Sequence, residues 1–116
     1  MDIVIVTRHQ GLVEFLAERG VTGKVISHAS VEDVWGKIVI GVLPPLLQSE
    51  AHVHINVDMN VPADKRGKEL TKDEVREYFV AAVPRQVVRL DKKNPRSKIG
   101  EKCLAQVRRL CEAVNS

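Results

Sequence analysis

Two adjacent residues, Arg8 and His9, offer the sharpest chemistry in this chain. A guanidinium presents a planar fork of donors that suits a phosphate, and an imidazole can move or donate a proton near neutral pH. They follow Thr7 directly and precede Gly11. A second candidate is Gly41-Val42-Leu43-Pro44, where Gly41 lets a ligand approach the backbone and Leu43 and Pro44 shape its surroundings. A third is the compact basic run Lys65-Arg66-Gly67-Lys68, whose Arg66 and Lys68 could attract phosphates, with Asp58 and Glu69 as the nearby acids. His52 and His54 lie two apart, so on one face of a strand, but no third ligand accompanies them and no metal is expected. Cys103 and Cys111 are eight apart, with no pattern of metal ligands around them; they read as thiols on one helix face. No GxGxxG or GxxxxGK[ST] is present, which removes support from dinucleotide and P-loop readings.

The elements that must position these residues alternate. Residues 2–6 form a β-branched run typical of a strand buried on both faces. Leu12, Phe15 and Leu16 recur at helical spacing, and Gly20 closes that helix. Lys24 to His28 predicts a second strand. Ser30 with Glu32 and Asp33 predicts the start of a short helix, and Lys37 to Val42 a third strand. Pro44 and Pro45 open another helix, from which Leu46, Leu47 and Ala51 are expected to pack back on the sheet. His52 to Asp58 alternates, with Val53, Ile55 and Val57 on one face and polar residues on the other, as at a sheet edge or an interface. Thr71 and Glu74 form a capping box for a helix running through Tyr78 and Phe79.

Strand–helix alternation implies an α/β fold with a mainly parallel sheet, and the expected strand order is 2-1-3-4. In such sheets a ligand sits beyond the carboxyl ends of the strands, where the winding reverses. That places the loop after strand 1, with Thr7, Arg8 and His9, beside the loop after strand 3. From about residue 84 the pattern changes: 91–98 reads as a polar, basic linker. Ile99, Cys103, Val107, Leu110, Cys111 and Val114 then mark one face of a helix that docks on the body or meets its own copy. The expected organisation is a body over 1–83 and a basic linker plus helix over 84–116.

Composition narrows the function classes. The chain has 116 residues, enough for one domain, with 44% hydrophobic residues and 3% aromatic. So few aromatics argue against a stacking platform for single-stranded nucleic acid. No apolar run approaches a membrane span, and the first residues lack the features of a signal peptide, so a cytoplasmic location and no membrane partner are expected. The net charge of +3 divides unevenly. Residues 1–83 hold nine Lys/Arg against twelve Asp/Glu, and residues 84–116 hold nine against three. The positive excess therefore belongs to the C-terminal part, and no helix-turn-helix or RNA-binding signature accompanies it to suggest duplex binding.

Taken in order, Val6-Thr7-Arg8-His9, Gly11, His28, Val39-Ile40-Gly41-Val42-Leu43-Pro44 and the stretch Val61 to Thr71 with Pro62-Ala63-Asp64-Lys65-Arg66-Gly67-Lys68 resemble the small CRISPR-associated Csx-sixteen family. The resemblance spans roughly residues 3–80. It implies a Rossmann-like, CARF-related fold working as a homodimer. It implies a ring nuclease that binds cyclic oligoadenylate, with cyclic tetra-adenylate as the expected ring, and linearises it without a metal or other cofactor, so switching off type III CRISPR signalling. On that resemblance Arg8 would serve the scissile phosphate and His9 would carry a proton or contact the ribose. Thr7, Gly41, Leu43, Pro44, Asp58, Arg66 and Lys68 would bind the ligand. Two positions depart from the family pattern. Val42 stands where Thr is frequent, and Asn60 stands where an acid is expected, leaving Asp58 as the candidate for that role.

Three rivals are weighed against it. A non-catalytic sensor or sponge would use the same pocket. Arg8-His9 also resembles the Arg-His-Gly start of histidine phosphatases, but Gln10 separates His9 from Gly11 and no second His follows a late strand. The basic tail could bind nucleic acid, with a strong salt dependence as its mark.

Overall fold

A computed structural model describes residues 2–87 and 99–116; the predicted linker 91–98 lies outside the described residues. Five strands form one sheet in the order β2-β1-β3-β4-β5: β1 (Ile3–Val6), β2 (Lys24–Ile26), β3 (Ile38–Gly41), β4 (Val53–Met59) and β5 (Phe79–Arg85). The first four are parallel, in the expected order, and β5 runs antiparallel against β4. The α/β, Rossmann-like class follows from these elements and their winding.

Helices cover both faces, because β1 and β3 are apolar on both. On one face, Ile5, Ile38, Ile40, Val53 and Ile55 pack with Leu12, Phe15 and Leu16 of α1 (Gln10–Glu18). Val75 of α4 (Lys72–Tyr78) and Val107 and Val114 of α5 (Glu101–Asn115) complete that cluster. On the other face, Val4, Val6 and Val39 pack with Val34 of α2 (Val31–Val34) and with Leu43, Ala51 and Leu47, the last in α3 (Pro45–Gln48).

Several expectations change. Phe79 starts β5 rather than ending a helix, so a strand follows α4 with no loop. β4 is not at the edge: β3 and β5 flank it, and His52 and His54 are buried. Leu46 does not pack back on the sheet; it is 87% exposed. The boundary drawn after residue 83 falls inside β5. The C-terminal helix docks on the body, and its Asn115 side chain accepts from the Ala82 N–H (2.8 Å) and donates to the Ala82 carbonyl (3.1 Å). Cys103 and Cys111 are not joined in a disulfide; both are half-buried against the same core, and burial pushes both up from the usual thiol range.

Candidate functional site

The carboxyl ends of β1, β2 and β3 surround a cavity of about 360 Å³. Val6, Thr7, Arg8 and His9 line it from the first strand and its loop. Ser27, His28 and Ala29 come from the loop after β2, and Val42 and Pro44 from the turn after β3. Sequence reasoning named Thr7, Arg8, His9 and Pro44 and missed Ser27 and Ala29. His28 was noted only as part of a resemblance, although a residue just past the end of a strand beside β1 carries the same positional signal as Arg8.

Each wall has a local cause. The Thr7 hydroxyl accepts from the His9 N–H at 3.0 Å, which turns the chain at the end of β1. His9 then stands at the N-cap of α1 in extended conformation, with no side-chain cap and no acid in the first helical turn. The first amides of a helix have no acceptor within it; here the Leu12 N–H turns back to the His9 carbonyl at 3.1 Å, and no described side chain or acid offsets the positive end that remains. Arg8 is exposed beside it and has no ion pair among the described residues. A cation without an acidic partner and an open helix start together suit an anion.

The third wall depends on Gly41. Its φ is +120°, a conformation L side chains rarely adopt, and a Cβ there would overlap the Val6 carbonyl. Its carbonyl accepts from His54 Nε2 at 2.7 Å, across from β4. With Nε2 donating, the neutral ring leaves Nδ1 as an acceptor, and this atom is buried without a partner among the described residues. Burial pushes His54 below the usual histidine range; the Gly41 contact opposes that shift, and the positive charge of Arg85 adds to it. A neutral His54 thus clamps the turn from beneath. Gln48 Nε2 donates to the Leu43 carbonyl at 3.0 Å and holds the turn from α3. Leu43 itself is buried in the core below the cavity, and Gly41 contributes its backbone, so both shape the site without lining it.

The remaining candidates lie apart. Asp58 is opposite Ala81 on the β4–β5 pair and takes a hydrogen bond from Asn56 Nδ2; it does not line the cavity. Arg66 donates through Nε to the Val61 carbonyl at 3.2 Å, and Lys68 is exposed with no ion pair among the described residues. Lys65 pairs with Glu74 at 3.2 Å, rather than any cation of this loop pairing with Asp58 or Glu69. The loop still connects to the site. The Leu70 N–H donates to His9 Nδ1 at 3.1 Å, and the absence of a side chain at Gly11 lets the Leu70–Lys72 backbone lie against the start of α1.

No cluster of three or more potential metal ligands occurs among the described residues. A larger cavity, about 520 Å³, lies between β5 and α5. Its walls are mostly apolar and include Gln86 and Ile99, which flank the segment outside the described residues. Arg85 and Arg108 also line it, but no residue from the carboxyl ends of β1, β2 and β3 or from the start of α1 does. No described helix is long and apolar enough to cross a membrane.

No curated protein and no solved structure matches the chain. Residues 4–88, which carry the whole cavity wall and the five strands but for Ile3, match the model of the family described as "Putative CRISPR-associated protein (Cas_VVA1548)", and the chain belongs to that family.

Proposed function

We propose that this protein is a metal-independent ring nuclease that binds cyclic oligoadenylate, with cyclic tetra-adenylate as its ligand, and linearises it to end type III CRISPR signalling. The observation that carries this reading is the unpaired Arg8 beside the uncapped start of α1, in a cavity at the switch point of a CRISPR-associated chain. A phosphodiester is the ligand chemistry that this pair of features fits.

The reaction asks little of the protein beyond positioning and charge. The ribose 2′-oxygen attacks the adjacent phosphorus, an O2′–P bond forms and the P–O5′ bond breaks. The products carry a 2′,3′-cyclic phosphate and a 5′-hydroxyl. The proton lost from the 2′-OH passes to water, and the departing O5′ gains one from water. Arg8 offsets the charge on the non-bridging oxygens, and the cavity walls hold the ribose in line. Thr7, Gly41, Leu43 and Pro44 serve as the support and lining of the nucleotide position. Arg66, Lys68 and Asp58 are assigned to outer parts of the ring.

A cavity of about 360 Å³ is at the low end of the range for ligand sites, roughly 300–1,000 Å³. It suits one nucleotide rather than a whole ring, so the ring would rest between two copies of this chain. Val42, 70% exposed, lies at the cavity, and Leu46, 87% exposed, follows in α3; both supply apolar surface for that contact.

The test is incubation of purified protein with cyclic tetra-adenylate, with chromatography of the products and light scattering for the oligomeric state. Linear products from a dimer support the reading. Tight binding with intact ring after many hours supports a sponge instead, and no binding removes both.

A further inference from the structure

His9 is constrained from two sides, and the constraints decide which ring nitrogen carries its proton. Its backbone N–H is tied to Thr7 Oγ1 at 3.0 Å, which sets the base of the side chain. Its Nδ1 accepts from the Leu70 N–H at 3.1 Å, a contact between residues 61 positions apart. That contact depends on Gly11, where any Cβ would overlap the Leu70 carbonyl. A backbone amide can only donate. The nitrogen it faces must therefore present a lone pair, and the proton of the neutral ring must sit on Nε2. Nε2 has no protein partner among the described residues and is not sealed from solvent, and His9 lines the cavity.

We infer that His9 acts as a fixed hydrogen-bond donor, aiming Nε2–H at a phosphate oxygen, and does not carry protons during the reaction. This rests on the cyclic-nucleotide reading for its ligand, but not for its tautomer. A general base needs a free lone pair facing the substrate, and here the free nitrogen already bears hydrogen. The opposite tautomer and the doubly protonated ring would both set N–H against N–H at Leu70. Leu70 is thus a positioning residue that acts through its backbone.

The first experiment needs no ligand. Nitrogen-15 spectra of the His9 ring in the intact protein, at mildly alkaline pH, should show an unprotonated Nδ1 and a protonated Nε2; the reverse pattern would overturn the inference. The second compares substitutions on cyclic tetra-adenylate. His9→Ala should lower turnover by about 10- to 100-fold, the worth of one hydrogen bond to a charged group. His9→Gln, whose amide can donate from near the Nε2 position but cannot relay protons, should stay within about threefold of wild type on the same scale. Equal losses in both variants, with the wild-type fold retained by circular dichroism, would reject the donor role. If the protein binds no cyclic oligoadenylate at all, that reading fails separately. Inorganic phosphate is then the probe: its titration should move the Nε2 resonance, and an unmoved resonance counts against the donor.

Discussion

The starts of α1 and α4 lie against each other and are built to opposite specifications. At α4, Thr71 accepts from the Glu74 N–H and Glu74 accepts from the Thr71 N–H, both at 3.2 Å, so the free amides of the first turn gain partners. Asp73 and Glu74 add negative charge to the positive end of the helix, and Lys65 pairs with Glu74. The short α2 repeats the pattern with Ser30 and Asp33. The α1 start has neither cap nor acid, and Arg8 adds a positive charge instead. A start optimised for stability has no capacity left for an anion. The uncapped one forgoes about 1 kcal/mol of capping and retains that capacity. The contrast separates supporting parts from site parts within one pair of packed helices, and α4 then serves α1 by delivering Leu70 to His9.

The sharpest way to break this contrast is to remove the cation. Arg8→Ala should slow ring opening roughly 100- to 1,000-fold with the fold retained, measured as single-turnover rates beside circular dichroism. Wild-type rates in that variant would remove Arg8 from the site. Next comes the joint between the two starts. Gly11→Ala forces the Leu70–Lys72 backbone away and should cost about 1–3 kcal/mol in urea unfolding. An unchanged midpoint would mean that the helices are not in close register.

The third change acts on the closed start alone. Thr71→Ala should lose about 1 kcal/mol of stability and leave turnover near wild type, because the amide that holds His9 belongs to Leu70. A large loss of turnover without a matching loss of stability would contradict the division. The fourth closes the open start. Gln10→Glu should raise stability by about 0.5 kcal/mol and weaken cyclic tetra-adenylate binding about threefold, read by thermal unfolding and calorimetry. The two effects must have opposite signs; tighter binding would refute the anion-site assignment.

The smallest effect is one of pH. The Thr71 amide, and after it Lys65, hold the Glu74 carboxyl below its ordinary value of 4.5. Its folded value is below its unfolded one, so its contribution is complete above about 4.5 and is lost as pH falls through the folded value. The protection of the Glu74 and Val75 amides, relative to intrinsic exchange at each pH, should therefore fall as pH drops below about 4.5, while Leu12 and Val13 in α1 show no such onset. A parallel response at both helices would erase the difference.

The order of the first four strands was legible because β1 and β3 are β-branched runs that only a sheet covered on both faces can bury. The cavity followed from winding alone, which brings the loop with Arg8 beside the turn with Pro44. β5 was not legible. Tyr78 and Phe79 join helix to strand with no Gly or Pro between them, so the local pattern carries no break. That hidden strand is also why His52 and His54 looked like an exposed row: without a neighbour on its far side, β4 reads as an edge. The roles of His54 at Gly41 and Leu70 at His9 were out of reach for a different reason. Both are long-range contacts, and one is made by a backbone amide, for which side-chain identity leaves no trace.

The Asn115 contact bears on how the molecule meets its neighbours. A carboxamide carries the same donor and acceptor as a peptide group, so Asn115 counterfeits one residue of a sixth strand at the border of the sheet. Two positions along, Pro84 has no N–H to offer a real one. That border is closed to strand addition by a helix lying beyond the family match, and the opposite border is the three-residue β2, which begins with a lysine. Neither border therefore offers a second copy of the chain a long free strand on which to lengthen the sheet.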